Sequence, residues 1–227
     1  MRVRIPALIG TALAAGFAGL AVLSGLDRLA ADNPATPALT EWPYARNAPY
    51  NVALTAAAGH HWALSEALIT RVIAAEPVNE HVIGALGQIR LGAGNTNGAD
   101  AAFRVSAQRG WRDPATHVYW MKQSIDAADF TAAALHADAL LRMPLGVSAH
   151  DQILDSLLEY DEGRTALAMR LRGRPSWSND FVVKLDALSN DALIAHADVA
   201  NRAGAHAFTC PETAGFINRL VEIKAAI

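Results

Sequence analysis

Cysteine is nearly missing from this 227-residue chain: Cys210 stands alone, which removes intramolecular disulfides and any cysteine-built zinc cage. Lysine is almost as scarce, present only at 122, 184 and 224. Charged residues make up 18% and the formal net charge is -3, so there is no basic field to hold a phosphate backbone, and nucleic acid drops out as a partner. Strict polar–apolar alternation is also lacking, which argues against strands. What the chain has instead is apolar residues, at 52%, with alanine about a fifth of the total. Alanine loses the least entropy in a helix, so an all-α protein is expected.

The longest apolar run lies near the start. Arg2 and Arg4 precede an uncharged stretch from Ile5 to Leu26, and Asp27-Arg28 closes it. A membrane-spanning helix needs ~20 apolar residues, whereas the apolar core of a cleaved leader is usually ~7–15 long. Residues 1–28 therefore predict a transmembrane anchor or uncleaved signal, with Leu29-Ala30-Ala31 leaving cleavage open as the alternative. The positive-inside rule puts Arg2 and Arg4 in the cytoplasm and sends everything after Leu26 across the membrane; in a bacterium this predicts a single-pass inner-membrane protein with its C-terminal domain in the periplasm. Within the run, Ala12, Gly16 and Gly19 fall at i, i+4 and i+7, a small-residue face suited to helix packing in lipid.

Residues 29–49 carry Pro34, Pro37, Pro43 and Pro49 and predict an extended linker. From about Tyr50 the pattern turns helical, with breakers at Gly59, Glu76-Pro77, Gly92-Ala93-Gly94, Asp113-Pro114 and Met143-Pro144. These intervals imply helices of about 11 to 16 residues joined by short turns.

Inside these units small residues, aromatics and prolines recur. Gly59-His60-His61-Trp62-Ala63 leads through Ala67, Ile69 and Val72 to Pro77, and Ala128-Asp129-Phe130 leads through Ala132, Ala133 and Leu140 to Pro144. Between them, Leu86-Gly87 is followed by Ala101, Ala102, Phe103 and Ala107. Over residues 50–144 this resembles the tetratricopeptide repeat. The resemblance implies an α-solenoid of antiparallel helical hairpins, in which short side chains let paired helices cross closely. The Asn95-Thr96-Asn97-Gly98 turn and the insertion around Arg109-Gly110-Trp111 depart from the family's pattern. Residues 145–227 keep helical periodicity without the repeat signature and predict a degenerate repeat or capping subdomain, with helices near 148–160, 162–172, 177–187, 191–203 and 211–226.

The pattern offers no catalytic constellation, and neither cofactor nor metal is expected. None of the eight histidines is spaced i, i+4 with an intervening acid, and His60-His61 would diverge on a helix. Gly146-Val147-Ser148-Ala149-His150 lacks the second glycine and the preceding strand of a nucleophile elbow. Gly92 to Gly98 lacks the Lys-Ser/Thr pair of a phosphate loop. The acid pairs Asp151/Asp155 and Asp161/Glu162 suit a helix surface, which leaves an envelope-glycan enzyme as the weakest reading.

Recognition remains. In the repeat family the first helix of each hairpin lines the groove, which points to Asn47 and Asn51, then His81 and Gln88, then Val118, Met121 and Lys122. Trp111 is a candidate aromatic anchor beside Arg109 and Arg112, and Trp120 is expected inside its hairpin. The function implied is a periplasm-facing protein-interaction scaffold of a cell-envelope assembly, such as polysaccharide export. The alternative is an accessory subunit docked through its transmembrane helix into a larger membrane complex.

Overall fold

The computed structural model describes residues 5–32, 45–110, 112–183 and 189–208, with single positions at 214, 217, 218 and 221. These residues are all-helical and contain no strand. In chain order the helices are α1 (Ile5–Asp32), α2 (Asn47–Ala58), α3 (Trp62–Ala75), α4 (Glu80–Gly92), α5 (Thr96–Arg109), α6 (Pro114–Asp126), α7 (Phe130–Leu141), α8 (Val147–Leu158), α9 (Asp161–Leu171), α10 (Ser178–Val183) and α11 (Asn190–Ala203), followed by a 3-10 turn at Ala205–Ala207. The chain divides into two compact units, Met1–Gly110 and Trp111–Ile227. That division falls earlier than the change at 144 read from the sequence.

Five helix starts are written locally. Asn79 accepts from the amides of His81 and Val82, Asn95 from Gly98, Asp129 from Ala132, and Ser189 from Ala192. Each satisfies amides that the first helical turn leaves without partners. Asp113 does the same for Thr116, with Pro114 at the first helical position, where its missing N–H is no loss.

In the first unit, α2 pairs with α3 and α4 with α5, and α4 also packs against α3 and α2. Their shared core holds Ala53, Ile69, Val72, Val82, Leu86, Ile89 and Ala102. Two glycines set how closely these helices approach. A Cβ on Gly87 would stand 2.8 Å from the Phe103 ring, and one on Gly92 2.5 Å from Trp62. The Leu86-Gly87 pair read from the sequence is thus the bed on which the α5 aromatic lies. The buried Ser65 hydroxyl ties α3 to α2 by donating to the Ala53 carbonyl at 2.7 Å.

The second unit opens with the α6–α7 pair, and α9 lies against α7 and α11 more closely than against α8. Its core gathers Phe130, Ala137, Leu140, Leu157, Leu167, Leu171, Trp177, Phe181, Leu193 and Val199. At Gly163 the α9 backbone comes so near α8 that a Cβ would meet the Leu157 carbonyl oxygen at 2.2 Å.

Two boundaries differ from the sequence reading. Helix α1 continues through Asp32, and α2 begins at Asn47 with Pro49 in its first turn, so both ends of the 29–49 linker are helical. Residues 33–44 lie outside the described ones, as does nearly all of the helix expected at 211–226. The segment expected at 177–187 is described as helix only over Ser178–Val183.

Candidate functional site

The membrane-length helix and the first hairpin meet at a polar junction. Helix α1 is long and apolar enough to cross a bilayer from Ile9 to Ala30, and Ile9, Leu13, Phe17, Leu20 and Val22 stand exposed along it. Ala12, Gly16 and Gly19 lie on this bare stretch, and a Cβ added at either glycine meets nothing within 4 Å. At the far end the environment reverses. Asp27 is 8% exposed, and its Oδ1 accepts from the backbone N–H of Arg46 and of Ala48, both at 3.1 Å. Its Oδ2 accepts from Asn47 Nδ2 at 3.3 Å. A carboxylate from one helix thereby caps the N-terminus of another, where the helix dipole favours negative charge. One turn further, Asn51 Nδ2 donates to the Ala30 carbonyl, and Arg46 pairs with Glu76 at 2.7 Å.

This junction uses two residues that the repeat resemblance assigned to a groove. Asn47 and Asn51 already donate to α1 and hold it against α2. His81 and Gln88 are both exposed on α4, seven residues apart and so on one face of it, while the run from Val82 to Gly87 between them is wholly buried.

In the second unit Met121 is a core residue, 6% exposed, because it faces Phe130 and its neighbours; this removes it from any binding surface. Lys122 and Val118 face solvent from the same helix. Trp111 lies outside the described residues. Trp120 is half-buried against Tyr119, with ring centroids 5.2 Å apart, and its indole N–H has no acceptor among the described residues. His60 and His61 occupy the α2–α3 turn and no helix; His60 takes φ 59 and sets its ring edge-on to Trp62.

The polar interior of this unit was not read from the sequence. Asp138, on α7, accepts from Trp177 Nε1 at 2.7 Å, Arg170 at 2.8 Å and Arg142 at 3.1 Å. Burial pushes its pKa up, but the bonds from Arg170, Trp177 and Arg142 outweigh that and hold the carboxyl below its usual 3.8. Its lone pairs are spent on structure. His136 lies two residues away on a different helical face and meets His117, Nδ1 to Nδ1, at 3.0 Å. Burial, and then repulsion from His117, bring the His136 pKa down to about 4. Between α9 and α11, Arg164 and Arg202 interlock with Asp161 and Asp198.

One cavity in this unit mixes polar and apolar walls. It encloses about 30 Å3 and is lined by Leu141, His150, Asp151, Leu154, Trp177, Asp180, Phe181 and His196. His196 is 4% exposed, stacks on Phe181 at 4.6 Å, and bonds the Ala192 carbonyl through Nδ1 at 2.8 Å. Burial lowers its pKa, partly opposed by the Ala192 bond and by Asp155 and Asp151. Among the described residues no group of three or more His, Cys, Asp or Glu side chains is placed to hold a metal ion.

No protein-family model, curated protein or solved structure matches the chain.

Proposed function

We propose that this protein is a membrane-anchored interaction scaffold: a tetratricopeptide-like array of helical hairpins, held at a bacterial inner membrane and facing the periplasm, that recruits a protein partner in cell-envelope assembly. The observation that carries the reading is the Asp27 junction, which joins a bare helix of bilayer length directly to the first hairpin of a helical array. Exposed apolar side chains over that length call for lipid or another helix around them. The Gly87–Phe103 and Gly92–Trp62 contacts support the repeat likeness, since they put small residues beneath aromatics at helix crossings. The buried Asp138 is taken up by Arg170, Arg142 and Trp177, and His136 meets His117, which favours recognition over catalysis.

Crosslinking in intact cells, followed by purification in mild detergent at near-native expression, tests this reading. Recovery with a defined envelope protein is the expected result; the full-length chain alone overturns it. A second reading rests on the open surface at Gly16 and Gly19, where the accessory subunit would dock into a larger membrane complex. Gly16→Leu with Gly19→Leu leaves the fold of the chain untouched and, on this reading, releases it from the complex. Unchanged retention rejects docking through that face.

A further inference from the structure

Ala30 and Ala31 follow the apolar run and supply the small side chains that a membrane-bound leader peptidase needs beside the bond it cuts. The structure gives this segment a second role. Helix α1 continues through Asp32, so the backbone of Leu29, Ala30 and Ala31 is wound rather than extended. Ala30 is fully buried, and its carbonyl accepts from Asn51 Nδ2 of α2. Three residues earlier, Asp27 takes the Arg46 and Ala48 amides and the side-chain amide of Asn47. Residues 27 and 30 are three apart and share one face of α1, the face that these bonds turn towards α2. A peptidase binds its substrate as an extended strand and pairs with backbone groups of several successive residues. For that, the last turn of α1 must unwind. Its own ladder bonds then open, and the register in which Asp27 and Ala30 meet α2 goes with them.

We propose that this junction is a processing latch: the Ala31–Asp32 peptide bond is open to a membrane leader peptidase only until α2 folds against α1, after which the chain keeps its anchor. The reaction withheld is a hydrolysis. Water adds across that bond, leaving the Ala31 carboxylate on the membrane helix and the Asp32 amine on the released domain. The order of synthesis suits the latch, because Asn51 follows Ala30 by only 21 residues. Loop closure and helix formation take on the order of microseconds, against a chain that lengthens by ~5–20 residues per second, so the latch closes as soon as the first hairpin has emerged. The inference rests on the anchored reading of α1 and on nothing about the partner.

The test follows the full-length protein, tagged at its C-terminus, in bacterial cells at near-native expression, with membrane fractionation and N-terminal sequencing of every tagged product. The wild-type chain is expected intact in the membrane fraction. Asn47→Ala with Asn51→Ala removes two donors from α2 and leaves residues 1–46 unchanged, so the peptidase meets the same sequence around the bond. The cut fraction then rises about tenfold, with the new N-terminus at Asp32. Thr55→Ala, which deletes an exposed hydroxyl bonded only to the Asn51 carbonyl within α2, stays intact and controls for a general loosening of that helix. Adding Ala31→Phe to the double variant fills the small-residue position and restores the intact chain; continued cutting shows degradation of a misfolded chain and overturns the latch. Cutting of the wild-type chain at this bond overturns it too, as does a double variant that remains whole. A chain found uncut but outside the membrane is a different result, and it overturns the anchored reading together with the latch built on it.

Discussion

Asp138 is the side chain on which the second unit most depends for internal polarity. Removing it leaves the Trp177 indole, 3% exposed, and the Arg170 and Arg142 guanidinium groups without their acceptor. Asp138→Ala therefore lowers stability by about 1–3 kcal/mol, the loss incurred when buried donors are orphaned, and urea unfolding followed by circular dichroism measures it. His136 makes a pH prediction. Its folded pKa of about 4 lies below the ordinary 6.5, because burial and His117 disfavour the charged ring. The unfolded chain takes up a proton near pH 6.5, whereas the folded chain resists until near 4. Stability is therefore full above pH 6.5, declines as pH falls from 6.5 towards 4, and levels off below. The check is a urea midpoint that drops across that window together with a His136 ring signal titrating near 4; a flat midpoint from pH 7 to 4.5 refutes it.

At the level of elements, close approach is the governing constraint. Gly163→Ala drives a methyl against the Leu157 carbonyl, and backbone cannot step aside as a side chain can. The expected loss is about 1–3 kcal/mol by overpacking, read as a lower thermal midpoint, with Gly146→Ala, whose Cβ meets nothing within 4 Å, as the control. The helices themselves were legible. Asn95 and Asp129 start α5 and α7 through their own side chains, and breakers at Gly59, Pro77 and Gly94 mark turns that the structure contains. The polar contacts were not. Asp138 reaches Arg170 and Trp177 across 32 and 39 residues, and Asp27 reaches Ala48 across 21, through loops and helix pairings that no local periodicity encodes. Met121 illustrates the converse: an apolar residue at a groove register is drawn into the core because its neighbours there are apolar too. Asn47 and Asn51 had the right exposure for recognition but recognise the chain's own first helix.

For the whole molecule, the decisive joint is the one that carries the lipid-length helix. Asp27→Ala removes the acceptor for the Arg46 and Ala48 amides, and loss of such a cap weakens the start of α2 by about 1 kcal/mol. Hydrogen exchange at Ala48 and Asn51 should quicken while the second unit keeps its protection, since the bonds Asp27 accepts come from Arg46, Asn47 and Ala48 of the first unit. Equal acceleration in both units, or none in α2, contradicts the assignment.

A rod fastened in this way cannot spin freely beneath its load. Because Asp27 grips the start of α2 at Arg46, Asn47 and Ala48 and Asn51 holds the next turn, rotating α1 about its long axis must swing the first hairpin with it. The azimuth of the stripe that Ala12, Gly16 and Gly19 form on α1 is thereby geared to the compass bearing of the first hairpin. A neighbour that seized that stripe would steer what the first hairpin faces.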